Sequence, residues 1–202
     1  MGPIRTPTTR FLSQQRIVCC GSKETPPSKG FGKSFMSQPI VSSSALFLPY
    51  LSGERTPVGD AQVRGLMMGL GHETDARTMT HAVLDGVAFA FRDSLVALQD
   101  AGTNVKRVMA VGGGTKSDLW LRIIATALGV PVDLPVAGDV GGAFGAARLG
   151  LMAATGASYR SVCTPPKIAR TIQPDAKARA AYEEAYGRYQ KIYPAIKEIN
   201  RS

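Results

Sequence analysis

Residues 76 to 101 constrain this chain more than any other stretch. Met79, Val83, Val87, Ala90, Phe91, Leu95 and Leu98 recur at helical spacing, and Leu84, Phe89 and Val96 widen the stripe to a second side. A helix that is apolar on two sides must be covered on both, which places it inside a layered domain. Thr74 or Asp75 offers its N-cap and Ala101-Gly102 its stop.

Strand signals flank this helix. "ALFLPYL" reads as a short buried strand ended by Pro49 and Ser52-Gly53, and "GLMMGL" at 65 to 70 as another. "RVMAV" at 107 to 111 is a strand running into Gly112-Gly113-Gly114, and a helix follows over 117 to 128, with Ser117 as N-cap and Gly129 at its stop. "VPVDLP" is expected at a sheet edge because prolines flank it. "VGGAFGAARLGLMAATG" is a third helix, and "DVGGAF" from Asp139 reads as its start rather than as a phosphate loop. After a loop, "DAKARAAYEEAYGRYQKIYPAIKEI" forms a terminal helix kinked at Pro194. Its Tyr182, Tyr186, Tyr189, Tyr193 and Ile196 share a face packed on the domain. The alternation predicts an α/β layered domain with largely parallel pairing at its centre.

Residues 1 to 44 differ in kind. They are rich in Ser, Thr, Pro, Gly and Lys, "ETPPSKGFGKS" is linker-like, and disorder is expected there, with a second region at 45 to 202. The net charge of +9 invites a nucleic-acid reading, but +5 of it lies in residues 1 to 44 and no basic-aromatic stripe follows. No nucleic acid is therefore expected as a partner. No apolar run reaches the roughly 18 residues that span a bilayer. Cys19, Cys20 and Cys163 lack metal-ligand spacing, and a reducing cytoplasm is the expected location. His72 and His81 are the only histidines, too few for a His-based metal site or for much acid–base relay.

A strand, a glycine turn and a helix form a recurrent nucleotide device. Glycine removes the Cβ atoms that would hold off a flat base, and the helix N-terminus offers unpaired N–H groups. Gly112, Gly114 and Ser117 give G-x-G-x-x-S, and Asp133 lies at nearly the distance where a dinucleotide site places its ribose-binding acid. That leaves a Rossmann-type module open, beside a non-catalytic remnant. No G-x-x-x-x-G-K-[ST] phosphate loop exists.

Four motifs in order then point to a family. "LFLPYLSGERTP" at 46 to 57, "GLMMGL" followed after seven residues by "TMTHAVLDG", "VGGGTKSDLWLRIIATALGVPV" and "GDVGGAFGAARLG" resemble the C-terminal domain of FGGY carbohydrate kinases, nearest to the xylulokinases, over about residues 45 to 198. The resemblance implies the actin-like, ribonuclease-H-like ATPase fold in incomplete form. It also implies ATP and Mg2+ as cofactors, with phosphoryl transfer to D-xylulose or a related ketose in a complete relative. By motif match Gly113 and Gly114, with Gly112, would lie against adenine, and Asp118 would reach the base edge or the ribose, or else serve the helix dipole. Glu54 and Arg55 of "SGERTP" would face the interdomain cleft, or pair with each other. Asp85 matches an acidic family position and is read as a structural hydrogen-bond partner. Thr78 stands where relatives carry an acidic, amide or histidine side chain.

The phosphate-binding stretch and the aspartate general base of such kinases find no match in this sequence. No catalytic or metal-ligating residue is therefore assigned, and the chain by itself is expected to be inactive. The faces that would meet the unmatched part are expected to be exposed and apolar, favouring self-association.

Overall fold

A computed structural model describes residues 42–136 and 141–199. The expectations for the stretch before residue 42, and for Asp139, fall outside the described residues. In order come β1 (Leu46–Leu48), β2 (Leu66–Met68), α1 (Ala76–Asp100), β3 (Val108–Met109), a 3-10 turn (Gly113–Lys116), α2 (Asp118–Leu128), β4 (Val132–Pro135), α3 (Gly141–Thr155), the short α4 (Tyr159–Val162), β5 (Ile168–Ile172), α5 (Arg179–Tyr189) and α6 (Ile192–Ile196).

The long helix stands where its caps put it. Asp75 accepts from the backbone N–H of Thr78 at 2.7 Å and from its hydroxyl at 2.8 Å. Thr78 thus completes the cap from the helix side. At the other end Gly102, at φ +88°, donates to Gln99, and Thr103 donates to Leu98. The helix is covered on two sides, by β1 and by α2. Its buried face, however, is turned from the one the apolar spacing marks. His81, Ala82, Asp85, Gly86, Ala88, Phe89 and Leu95 are buried, while Met79, Val83 and Leu98 are exposed. The turn has a steric cause at Gly86, where an added Cβ would stand 2.1 Å from the carbonyl oxygen of Phe47. Only a glycine lets α1 press onto β1 this closely.

The sheets are mixed rather than largely parallel. β1 and β2 pair antiparallel, Phe47 opposite Met67. The second sheet runs β3-β4-β5, with β3 and β4 parallel and β5 antiparallel to β4. β4 is therefore central, which corrects the edge expected from its prolines. Pro131 precedes the strand and its carbonyl accepts from Val108 at 3.0 Å. Pro135 ends the strand, where the ladder shifts to Ile168. Neither missing N–H falls in the regular ladder. β5 occupies a stretch expected to be a loop.

The terminal helix is broken before its proline rather than kinked at it. Pro194 has no N–H to give to Gln190, four residues back, and its ring crowds that carbonyl. α5 ends at Tyr189, and α6 restarts at Ile192 with Pro194 in its first turn. The tyrosine face packs inward: Tyr182, Tyr186 and Tyr189 surround Phe89 at ring-centroid distances of 5.9, 5.7 and 5.4 Å. Trp120, Leu121, Ile123 and Val132 continue the same core beneath α2.

Candidate functional site

The site lies at the carboxyl ends of the parallel pair β3 and β4, where open α/β sheets gather their ligand loops. Ala110 donates to Asp133 at 2.9 Å, holding the end of β3 against β4. The chain then turns at Gly112, whose φ of +95° excludes a side chain without strain. Thr115 closes the turn, giving both its backbone N–H (3.1 Å) and its hydroxyl (2.7 Å) to the Gly112 carbonyl. Ser117 caps α2 by accepting from Trp120 at 3.2 Å.

This leaves an open ledge. A Cβ placed on Gly112 or on Gly113 would meet nothing within 4 Å. One on Gly114 would lie 3.3 Å from the indole nitrogen of Trp120, so the only tryptophan of the chain backs the turn. Gly141, the first residue of α3, approaches the same strand end, with its would-be Cβ 3.1 Å from Val111.

Asp118 opens α2, where an acid suits the helix dipole. It also has a partner the sequence did not suggest, the guanidinium of Arg170 on β5. That hydrogen bond holds the Asp118 carboxyl below the usual carboxylate range and raises Arg170 in return. Arg122, one turn further along α2, is turned toward Asp175 at 3.4 Å.

The other candidates have contacts of their own. Asp133 is buried and fully engaged: Arg107 clasps it with Nε at 2.7 Å and a terminal nitrogen at 2.9 Å, and the Thr171 hydroxyl donates at 2.6 Å. It locks three strands together, which leaves it poorly suited to a ribose. Glu54 folds its own loop, accepting from Thr56 at 2.7 Å and from Val58 at 2.9 Å. Asp60 continues that network, accepting from Gln62 and from the hydroxyl of Tyr193 on α6. Arg55 is exposed. Asp85 is buried and structural, accepting from Ser43 N–H at 2.8 Å and from the Tyr182 hydroxyl at 2.7 Å.

The opposite face of the sheet carries a feature that the sequence did not reveal. Met109, Val111, Pro135, Val136 and Phe144 line an apolar hollow of about 170 Å³ beside α3. No residue of α3 is buried, and Phe144, Leu149 and Leu151 are exposed. Among the described residues no helix is long and apolar enough to cross a membrane.

A family model described as the FGGY family of carbohydrate kinases, C-terminal domain, matches residues 24–154. The match begins upstream of Ala45, where the composition changes. The chain is 36% identical to the xylulose kinase of Escherichia coli (strain K12) over 151 residues, 74% of this chain and 31% of that one. The solved structure of a xyloylose kinase from Brucella ovis superposes with a TM-score of 0.76 at 55% identity, over 83% of this chain and 34% of that one. The xylulose kinase structure from Rhodospirillum rubrum gives a TM-score of 0.67 at 26% identity, over 84% and 34%. The chain thus spans about a third of the length of the relatives it matches.

Proposed function

The chain belongs to the FGGY family of carbohydrate kinases, whose C-terminal domain it carries, and on that premise we propose that it is the nucleotide-side part of an ATP-dependent sugar kinase. Its mixed α/β layers have the actin-like ATPase fold of those enzymes. The observation that carries the nucleotide reading is the open turn at Gly112–Gly113, a flat ledge at the carboxyl end of β3 with a capped helix behind it. A purine fits such a ledge because no Cβ intervenes. The acceptor proposed is D-xylulose or a related ketose, supported by the names of the matched kinases. The setting proposed is the cytoplasm.

In this reading Gly112, Gly113 and Gly114 support the adenine, and Asp118 receives a hydrogen bond from the nucleoside. Bound ATP would supply the transferable phosphoryl group. Among the described residues no cluster of three or more His, Cys, Asp or Glu could hold a metal. Mg2+, implied by the family, would enter with the nucleotide phosphates. Phosphoryl transfer needs a base at the attacking hydroxyl and a closed cleft around it. The matched third of a kinase supplies one wall of that cleft, so no transfer is expected from the chain alone. Glu54 and Arg55 remain candidates for its rim.

The reading is tested by titrating ATP and NADH into the full chain while following Trp120 fluorescence. A saturable change with ATP that NADH does not compete away is expected. A response to NADH alone would replace this reading with a dinucleotide site. Steady ATP-dependent formation of a xylulose phosphate by the purified chain would overturn its proposed inactivity.

A further inference from the structure

We propose that Arg170 is a positioning residue that aims Asp118 at the exocyclic amine of a bound adenine, and so selects ATP over GTP. The inference rests on the nucleotide reading of the glycine turn and adds to it a residue 52 positions away on another element. Arg170 stands opposite Leu134 in the β4–β5 ladder. Cross-strand neighbours share a face, and Leu134 belongs to the core beneath α2. The Arg170 side chain therefore rises on the α2 side and meets the first residue of that helix.

The ion pair does little for folding. Its side chains are 62% exposed at Asp118 and 46% exposed at Arg170, and exposed pairs of this kind contribute little to stability. What the pair does fix is direction. The guanidinium engages Oδ1, and Oδ2 has no other partner among the described residues. Asp118 is a carboxylate, an acceptor-only group whose Oδ2 stays clear of the guanidinium, four residues past Gly114. Such a group takes a hydrogen bond from the amine of adenine and repels the carbonyl oxygen that guanine presents at the same edge. Without Arg170 the carboxylate is free to rotate, since Arg122 acts on it through charge alone and makes its hydrogen bond to Asp175.

The experiment compares ATP and GTP affinities of wild type, Arg170→Ala and Arg170→Lys in the full chain, read from Trp120 fluorescence, with thermal unfolding as the folding control. Arg170→Ala is expected to unfold at the wild-type temperature and to lose about tenfold in its ATP-over-GTP ratio, the scale of one charge-assisted hydrogen bond. Arg170→Lys is expected to restore most of that ratio. An unchanged ratio in Arg170→Ala, or an equal weakening of both nucleotides, overturns the proposal while leaving the nucleotide site intact. Binding of neither nucleotide by wild type would instead sink the reading on which it rests.

Discussion

The hydroxyl of Tyr182 donates to Oδ1 of Asp85 at 2.7 Å, a buried contact that ties α5 to the middle of α1 across 97 residues of chain. Burial pushes the Asp85 carboxyl up from 3.8 to about 6, against the opposing pull of the Ser43 and Tyr182 hydrogen bonds. The folded state therefore takes up this proton more readily than the unfolded state. The contribution of Asp85 to stability is fully present below the unfolded pKa and is lost as pH rises through the folded one. Wild type should gain about 2 kcal/mol relative to Asp85→Asn between pH 7 and pH 4. Asp75, Asp118, Asp175 and Glu183 are shifted the other way, so the difference between the two proteins is the quantity to read. Urea unfolding of both across that range checks it, and a pH-independent difference would contradict the account.

Phe89 is the hub on which the tyrosine face closes. It is fully buried and touches three tyrosine rings. Phe89→Ala is expected to cost about 3–5 kcal/mol in denaturant unfolding. Tyr186→Phe, which loses the hydroxyl and with it the 2.6 Å bond to Asp93, should cost about 1–3 kcal/mol.

The glycine turn separates conformation from space. Gly112 needs its positive φ, so Gly112→Ala should destabilise by about 1–2 kcal/mol. Gly113 carries no positive φ and faces open space, so Gly113→Ala should fold within about 0.5 kcal/mol of wild type. Its new methyl group would stand where the base lies, so nucleotide affinity should fall while stability holds. A Gly113→Ala protein with undiminished ATP binding would move the ligand elsewhere.

The open side of α3 is proposed as a self-association surface. Leu149 is 65% exposed and Leu151 51% exposed, on a helix with no buried residue. The Leu149→Lys, Leu151→Glu double variant should lower the scattering mass and the binding of a hydrophobic dye without lowering the unfolding midpoint. Unchanged scattering would place the contact on another face.

Where the sequence spoke through local stereochemistry, it was legible. Asp75 and Gly102 bound α1, and Ser117 and Gly129, the latter at φ +69°, bound α2, because caps act within a few residues. Contacts that cross the fold had no such signal. The buried face of α1 contains Asp85 and Gly86, which a search for apolar periodicity passes over, and their burial depends on Tyr182 and Phe47. "IARTI" became a strand only because β4 offers it an edge. The Asp118–Arg170 pair joins residues that no spacing rule connects. The loop contacts of Glu54, whose two carboxylate oxygens accept from the N–H groups of Thr56 and Val58, had no signal in the sequence either.

The central claim is that the turn at Gly112–Gly114 holds an adenine nucleotide. Backbone amide shifts of the full chain, followed during an ATP titration to the solubility limit of the nucleotide, test it most directly. The account predicts saturable shifts centred on residues 112 to 118, with a further shift at Arg170. Shifts confined to the hollow at Met109 and Phe144, or none at all, would contradict it.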